Sequence, residues 1–189
     1  LQAGRTEPKE KVDCDGHYEL ADRTFRCWNR SGHGHVDLHR ALKESCDVYF
    51  FEMARRLGIE TLSDTARLLG LGVTYDLGLP HKTGVVPDPD WKRGQWDARW
   101  LGGETLLTGI GQGYVLSTPL QLAVMMARVA SGRSVEPTLV RRDGAAPEFA
   151  SLGIEQRHLT AVRDALAAVV NEEGGTGSAA RLDEGQPLV

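Results

Sequence analysis

Four residues near the start of the chain carry donor atoms that suit a single metal ion. They are spaced Cys14-x12-Cys27-x5-His33-x12-Cys46, and all three cysteines of the 189-residue chain belong to the set. Three thiolates and one imidazole make a standard tetrahedral zinc shell. Gly32 and Gly34 flank the histidine, giving the backbone the freedom to swing its ring toward a shared centre. The spacing has no close Cys-x2-Cys pair, so two other readings stay open: a Cys14–Cys27 disulfide, or three small buried thiols. His17, the pair His35 and His39, Asp13 and Asp15 are competing ligands.

Cys46 is also the middle of Ser45-Cys46-Asp47. A hydroxyl and a carboxylate two positions apart on a rigid turn can face one cleft, where the hydroxyl relays a proton and the carboxylate binds a substrate amide. A Ser ahead of a helical stretch also serves as a simple cap. Two further motifs point to chemistry that their surroundings exclude. Gly109-Ile110-Gly111-Gln112-Gly113 imitates a phosphate loop, yet no strand–loop–helix unit surrounds it. Lys82-Thr83-Gly84 matches the triplet that lines serine acyl-transferase clefts, but it lies between Pro80 and Pro87-Asp88-Pro89, where a strand ladder is disfavoured.

The elements that must position these groups follow from periodicity. Residues 1–36 are polar and glycine-rich, which predicts loops or short strands. Asp37 caps a helical stretch in which Leu42, Cys46, Tyr49, Phe50, Met53 and Leu57 share a face, with a break near Ser45 and a stop at Gly58. A second helix carries Leu62, Ala66 and Leu69 and ends at Gly70. Residues 70–117 show no clear period, which predicts a long functional loop. Thr118-Pro119-Leu120-Gln121 is a capping box opening a helix with Leu122, Met125, Met126 and Val129 as its apolar face. A strand is predicted at Pro137–Val140. A last helix runs from Glu155 to Asn171 with Leu159, Val162, Leu166 and Val169 inward, followed by a flexible Gly174-Gly175-Thr176-Gly177-Ser178 loop.

Composition is that of an ordinary globular protein: 41% hydrophobic, 25% charged, net charge −4. That balance, with no basic stripe, excludes nucleic acid as a partner on electrostatic grounds. No apolar run approaches the ~20 residues of a membrane span.

Taken in order, Ser45-Cys46-Asp47-Val48-Tyr49-Phe50, Lys82-x-Gly84-x-x-Pro87 with Trp91-Lys92, and Gly109-Ile110-Gly111-Gln112-Gly113 leading to Thr118-Pro119-x-Gln121 closely resemble the transpeptidase domain of class B penicillin-binding proteins. The run Gly32-His33-Gly34-x-x-Asp37-Leu38 resembles the penicillin-binding protein 2 branch, which serves rod elongation. The resemblance covers roughly residues 14–189. It implies an α+β fold, the helix-rich portion of the serine beta-lactamase and penicillin-binding-protein type, with an incomplete central antiparallel sheet. Residues 1–36 would be a loop-rich zinc-binding segment, and 37–189 the helical lobe with the second active-site motif. Ser45 would move a proton to the leaving group, and Asp47 would hold the substrate backbone. A structural zinc on Cys14, Cys27, His33 and Cys46 is implied as well, pinning the preceding loop to the turn that presents Ser45.

The family's nucleophile is a Ser followed three residues later by Lys, and no Ser of this chain has that neighbour. It is expected before residue 1, and the Lys-Thr-Gly strand after residue 189, so that the fragment alone is inactive. Expected partners of the whole protein are peptidoglycan stem peptides, beta-lactam antibiotics, a membrane glycan polymerase and the elongation complex, at the periplasmic face of the inner membrane. Self-association of the fragment through unpaired strand edges is a further expectation. The alternative is a zinc-stabilised binding or scaffolding module without catalysis.

Overall fold

A computed structural model of the chain describes residues 1–140 and 147–182. The N-terminal segment is too polar and too broken by glycine for long strands, and it forms four short ones. These are β1 (Val12–Cys14), β2 (His17–Leu20), β3 (Arg23–Arg26) and β4 (Gly34–Val36). β1 pairs antiparallel with β4, placing Cys14 opposite Gly34, and β2 pairs antiparallel with β3, placing His17 opposite Arg26. Two-stranded sheets of this size do not stand alone in water. Here Tyr18 and Phe25 pack their rings on Phe51, with centroids 6.0 and 5.7 Å away, and Cys14 and Cys27 are buried beside them.

The predicted break at Ser45 divides two helices, α1 (Leu38–Lys43) and α2 (Asp47–Leu57). Asp37 caps α1 by accepting from the Arg40 N–H at 3.0 Å. Gly58, at φ 78°, ends α2 and leads into α3 (Ile59–Leu68). Val48, Tyr49, Phe51, Met53 and Ala54 make α2 the centre of the core.

Residues 70–117 are more ordered than their lack of period predicts, because they contain α4 (Pro89–Trp96) and α5 (Gly102–Gly109). α4 is short and mostly polar, and the signal for it was its start: Asp88 accepts from the Trp91 N–H at 2.8 Å, with Pro89 in the first turn. α5 begins and ends in glycine, which hides it from propensity. The glycines are required by packing: a Cβ on Gly109 would sit 2.5 Å from Ala54 Cβ, and one on Gly103 would sit 2.8 Å from Phe25.

α6 (Pro119–Ser131) has the expected box, with reciprocal Thr118 and Gln121 bonds of 3.2 Å. Its buried face is only partly the predicted one: Val129 is buried and Met125 half-buried as expected. Gln121, Val124, Arg128 and Val129 face inward, while Leu122 and Met126 are 46% and 45% exposed. Hydrogen bonds decided the orientation, since Gln121 bonds the Val73 and Thr83 carbonyls of the preceding loop, and Arg128 bonds the Leu68 carbonyl at the end of α3 and the Val135 carbonyl just after α6.

No strand forms at Pro137–Val140; the segment is a bend with Leu139 and Val140 exposed. In α7 (Gln156–Asn171) Leu159 is buried as predicted, but Ala165 and Ala168 lie deepest, and Val162, Leu166 and Val169 are half-buried. Small residues are needed there because α1 packs closely on this helix. The described residues contain no strand of a central sheet, and the strand-like end at Pro187–Val189 lies outside them.

Candidate active site and metal centre

Cys14 at the end of β1, Cys27 just after β3, His33 just before β4 and Cys46 at the N-cap of α2 converge. One ligand atom from each lies within 4.8 Å of all the others, and all four residues are buried. The His33 Nδ1 is 3.6 Å from Cys14 Sγ and 3.5 Å from Cys27 Sγ. Zinc bonds of ~2.3 Å to sulfur and ~2.0 Å to nitrogen at tetrahedral angles put those atoms about 3.5 Å apart, so the donor set fits that ion.

The electrostatics of the thiols pull two ways. Backbone N–H groups of Asn29, Asp47 and Val48 are aimed at the Cys27 sulfur, and that of Tyr49 at Cys46. These donors favour thiolates, but burial outweighs them and raises both thiols above the ordinary cysteine range, with Cys14 adding to the rise at each. A divalent cation supplies the charge that holds such sulfurs deprotonated. The three thiols form no disulfide. The competing ligands lie elsewhere, in exposed pairs: His17 with Asp15 and His35 with Asp13, both at 3.2 Å, and His39 with Glu172 at 3.3 Å.

The turn beside the cluster carries Ser45 and Asp47. Ser45 is exposed and sits at φ 54°, a left-handed conformation unusual for a residue with a Cβ. Its Oγ lies 3.0 Å from the Thr176 Oγ1. Asp47 opens α2 and accepts from the Trp28 N–H at 2.9 Å through Oδ2. Ser45 and Asp47 thus flank Cys46 on one turn, the hydroxyl on Thr176 and one Asp47 oxygen on Trp28.

Two residues that sequence reasoning passed over, Thr176 and Trp28, complete the site. The Gly174–Ser178 loop is docked, with the Thr176 N–H on the Lys43 carbonyl at 3.2 Å and the Gly177 N–H on the Val169 carbonyl at 2.9 Å. A Cβ on Gly175 would lie 2.3 Å from that same Val169 oxygen, so these glycines serve close approach. A hydroxyl set between glycines was the available signal for Thr176. Trp28 had none, beyond being next to a ligand.

The two motifs set aside earlier behave as structure. Gly111 and Gly113, at φ 72°, follow α5 and open no helix. Lys82-Thr83-Gly84 is outside any strand; Thr83 lends its carbonyl to Gln121, and a Cβ on Gly84 would meet the Leu116 oxygen at 2.1 Å.

A helical lobe built on α2, a serine–x–aspartate turn at its start and a close match to one family model define the class. Residues 1–188 match the model for the penicillin binding protein transpeptidase domain, and the chain belongs to that family. It is 39% identical over 153 residues to the peptidoglycan D,D-transpeptidase MrdA of Acinetobacter baumannii, covering 79% of this chain and 23% of that one. With MrdA of Escherichia coli K12 it shares 29% over 189 residues, covering 93% and 30%. It superposes on the penicillin-binding protein PBP2 of Helicobacter pylori with a TM-score of 0.84 at 31% identity, covering 92% of this chain and 33% of that one. On Pseudomonas aeruginosa PBP2, solved in complex with WCK 5153, the TM-score is 0.83 at 34% identity, covering 95% and 41%. The chain thus spans between a fifth and a third of the length of these curated relatives.

Proposed function

We propose that the whole protein is a peptidoglycan D,D-transpeptidase of cell-wall elongation, and that this chain supplies the wall of its active site that bears Ser45 and Asp47. The observation that carries the reading is the exposed Ser45 on a strained turn at the start of α2, within a chain that matches the transpeptidase model from end to end. In the proposed reaction an enzyme serine oxygen attacks the penultimate D-alanine carbonyl of a stem peptide. An ester forms, the C–N bond to the last D-alanine breaks, and the released amine takes a proton. An amine of a second stem peptide then attacks the ester, forming the cross-link and freeing the serine. Ser45, hydrogen-bonded to Thr176, is suited to relaying the proton to the leaving amine, and Asp47 to holding the turn and the substrate backbone.

Zinc on Cys14, Cys27, His33 and Cys46 has a structural part in this reading. It ties the β1–β4 and β2–β3 pairs to the residue between Ser45 and Asp47. A free-standing binding module is disfavoured, because the family match runs through the zinc segment and the helical lobe alike.

The proposed partners are stem peptides, beta-lactams and the elongation complex with its membrane glycan polymerase, at the periplasmic face of the inner membrane. H. pylori PBP2 has been solved with MreC, which supports the complex by analogy. Among the described residues no helix is long and apolar enough to cross a membrane.

Labelling with a fluorescent penicillin tests the activity. The full-length protein labels, Ser45→Ala slows the labelling about a hundredfold, and residues 1–189 alone stay unlabelled. Labelling of the fragment would refute its proposed inactivity, and an unaltered rate in Ser45→Ala would remove Ser45 from the mechanism. Metal analysis of protein purified without chelator is expected to return one zinc per chain; near-zero zinc would sink the metal reading.

A further inference from the structure

Trp28 is the most exposed large aromatic residue described, at 57%, yet it makes three hydrogen bonds. Its backbone N–H donates to Asp47 Oδ2 at 2.9 Å. Its indole Nε1–H is shared between two carbonyls, Ser45 O at 2.9 Å and Glu44 O at 3.1 Å. The ring also meets His33 edge-on, with centroids 5.5 Å apart. One residue thus touches the candidate metal cluster, the Ser45 backbone and the Asp47 side chain.

The bonds fall where the turn needs them. The last carbonyls of a helix have no partner within it, and a left-handed residue normally closes such an end. Here that residue is Ser45 rather than glycine, so the conformation is strained and persists only if its neighbours hold it. Ser45 N–H reaches Leu42 O at 3.3 Å and Cys46 N–H reaches Ala41 O at 2.9 Å, while Thr176 N–H covers Lys43 O. Glu44 O and Ser45 O are left to the indole.

We infer that Trp28 is a positioning residue: its indole N–H holds Ser45 in the left-handed turn that aims the hydroxyl, and its attachment to Cys27 links that turn to the metal centre. The inference deepens the transpeptidase reading and rests on it for its catalytic consequence, though not for its structural one. Misplacing a hydroxyl by an ångström costs rate while leaving binding of the remote parts of a ligand intact.

The test is Trp28→Phe in the full-length protein, which keeps an aromatic ring and the backbone N–H but removes the indole donor. Three readouts are taken: zinc content, hydrogen–deuterium exchange over residues 44–47, and the acylation of the nucleophile by a fluorescent penicillin as a function of concentration. The variant is expected to retain one zinc per chain and to exchange at 44–47 roughly tenfold faster, as loss of hydrogen bonds of ordinary strength implies. Its maximal acylation rate is expected to drop about tenfold, with the half-saturating concentration changed less than about twofold. Unchanged exchange at 44–47, or an unchanged maximal rate, overturns the inference. Loss of zinc in Trp28→Phe also overturns it, by assigning the residue to the metal centre instead. If the wild-type protein is not acylated at all, the transpeptidase reading fails, and the exchange measurement still decides whether Trp28 holds the turn.

Discussion

Two stretches of this chain look alike on paper and are held together by different forces. Residues 12–46 and 88–118 both lack long elements and are built of short ones. The first converges on three thiols and an imidazole. The second converges on aromatic rings: Trp91, Trp96 and Tyr114 lie within 5.4 Å of one another by centroid. At the base of that cluster Lys92 is paired with Glu104, with side chains only 8% and 15% exposed. A ligand cluster concentrates stability at one point, so that it is lost all at once. Aromatic packing distributes stability over area and degrades in steps.

The largest effect expected from this difference is on removing the proposed zinc. Structural zinc contributes on the order of 10–16 kcal/mol in small zinc-dependent folds, and beyond the packing of Tyr18 and Phe25 on Phe51, strands of three and four residues have little to hold them. Chelation, or Cys27→Ser, is expected to abolish exchange protection over residues 12–36, while α1, held by its packing on α7, and residues 88–118 keep theirs. Segment-resolved hydrogen exchange on the whole protein with and without chelator decides this. Loss of protection in both regions together would show that they form one cooperative unit and would erase the contrast.

A smaller effect is expected in the aromatic region. Removing one partner of a buried ion pair costs about 3–5 kcal/mol because the other charge is left without compensation. In Lys92→Met the loss should fall near the lower end, about 3 kcal/mol. Glu104 keeps the Leu101 N–H at 2.7 Å and the Tyr114 hydroxyl at 3.2 Å. The double variant Lys92→Met with Glu104→Gln, which removes the orphaned charge, should recover part of that loss. Chemical denaturation followed by tryptophan fluorescence reads both. Equal stability of the single and double variants would mean that the charge is solvated.

The contrast also explains what could be read without coordinates. The convergence of Cys14, Cys27, His33 and Cys46, the broken helix at Ser45 and the capping box at Thr118 were legible because each depends on residue type and spacing. α5 was not, since its terminal glycines answer to Ala54 and Phe25, which are distant in sequence. Half of the predicted α6 face, Leu122 and Met126, is exposed for the same kind of reason. Hydrophobicity favoured Leu122 and Met126, but the orientation is set by where Gln121 and Arg128 find carbonyls. Trp28 and Thr176 reach the site with side chains, from 17 and 131 positions away in the chain, a separation that short-range spacing does not register.

The smallest of these effects concerns Gln121 itself, which bridges the aromatic region to the rest of the lobe. Its side chain is 1% exposed and makes three bonds: Nε2 donates to Val73 O at 3.1 Å and to Thr83 O at 2.6 Å, while Oε1 accepts from the Thr118 N–H at 3.2 Å. Gln121→Leu keeps the volume and strands the half-buried Val73 and Thr83 carbonyls and the Thr118 N–H. Each costs about 1 kcal/mol or more when no water can reach it, so a loss of about 2–3 kcal/mol is expected. The loss should appear as faster exchange over residues 73–85, with residues 12–46 unaffected. A variant as stable as wild type would show that water enters beside α6, and that the polar face of this helix does not set its orientation.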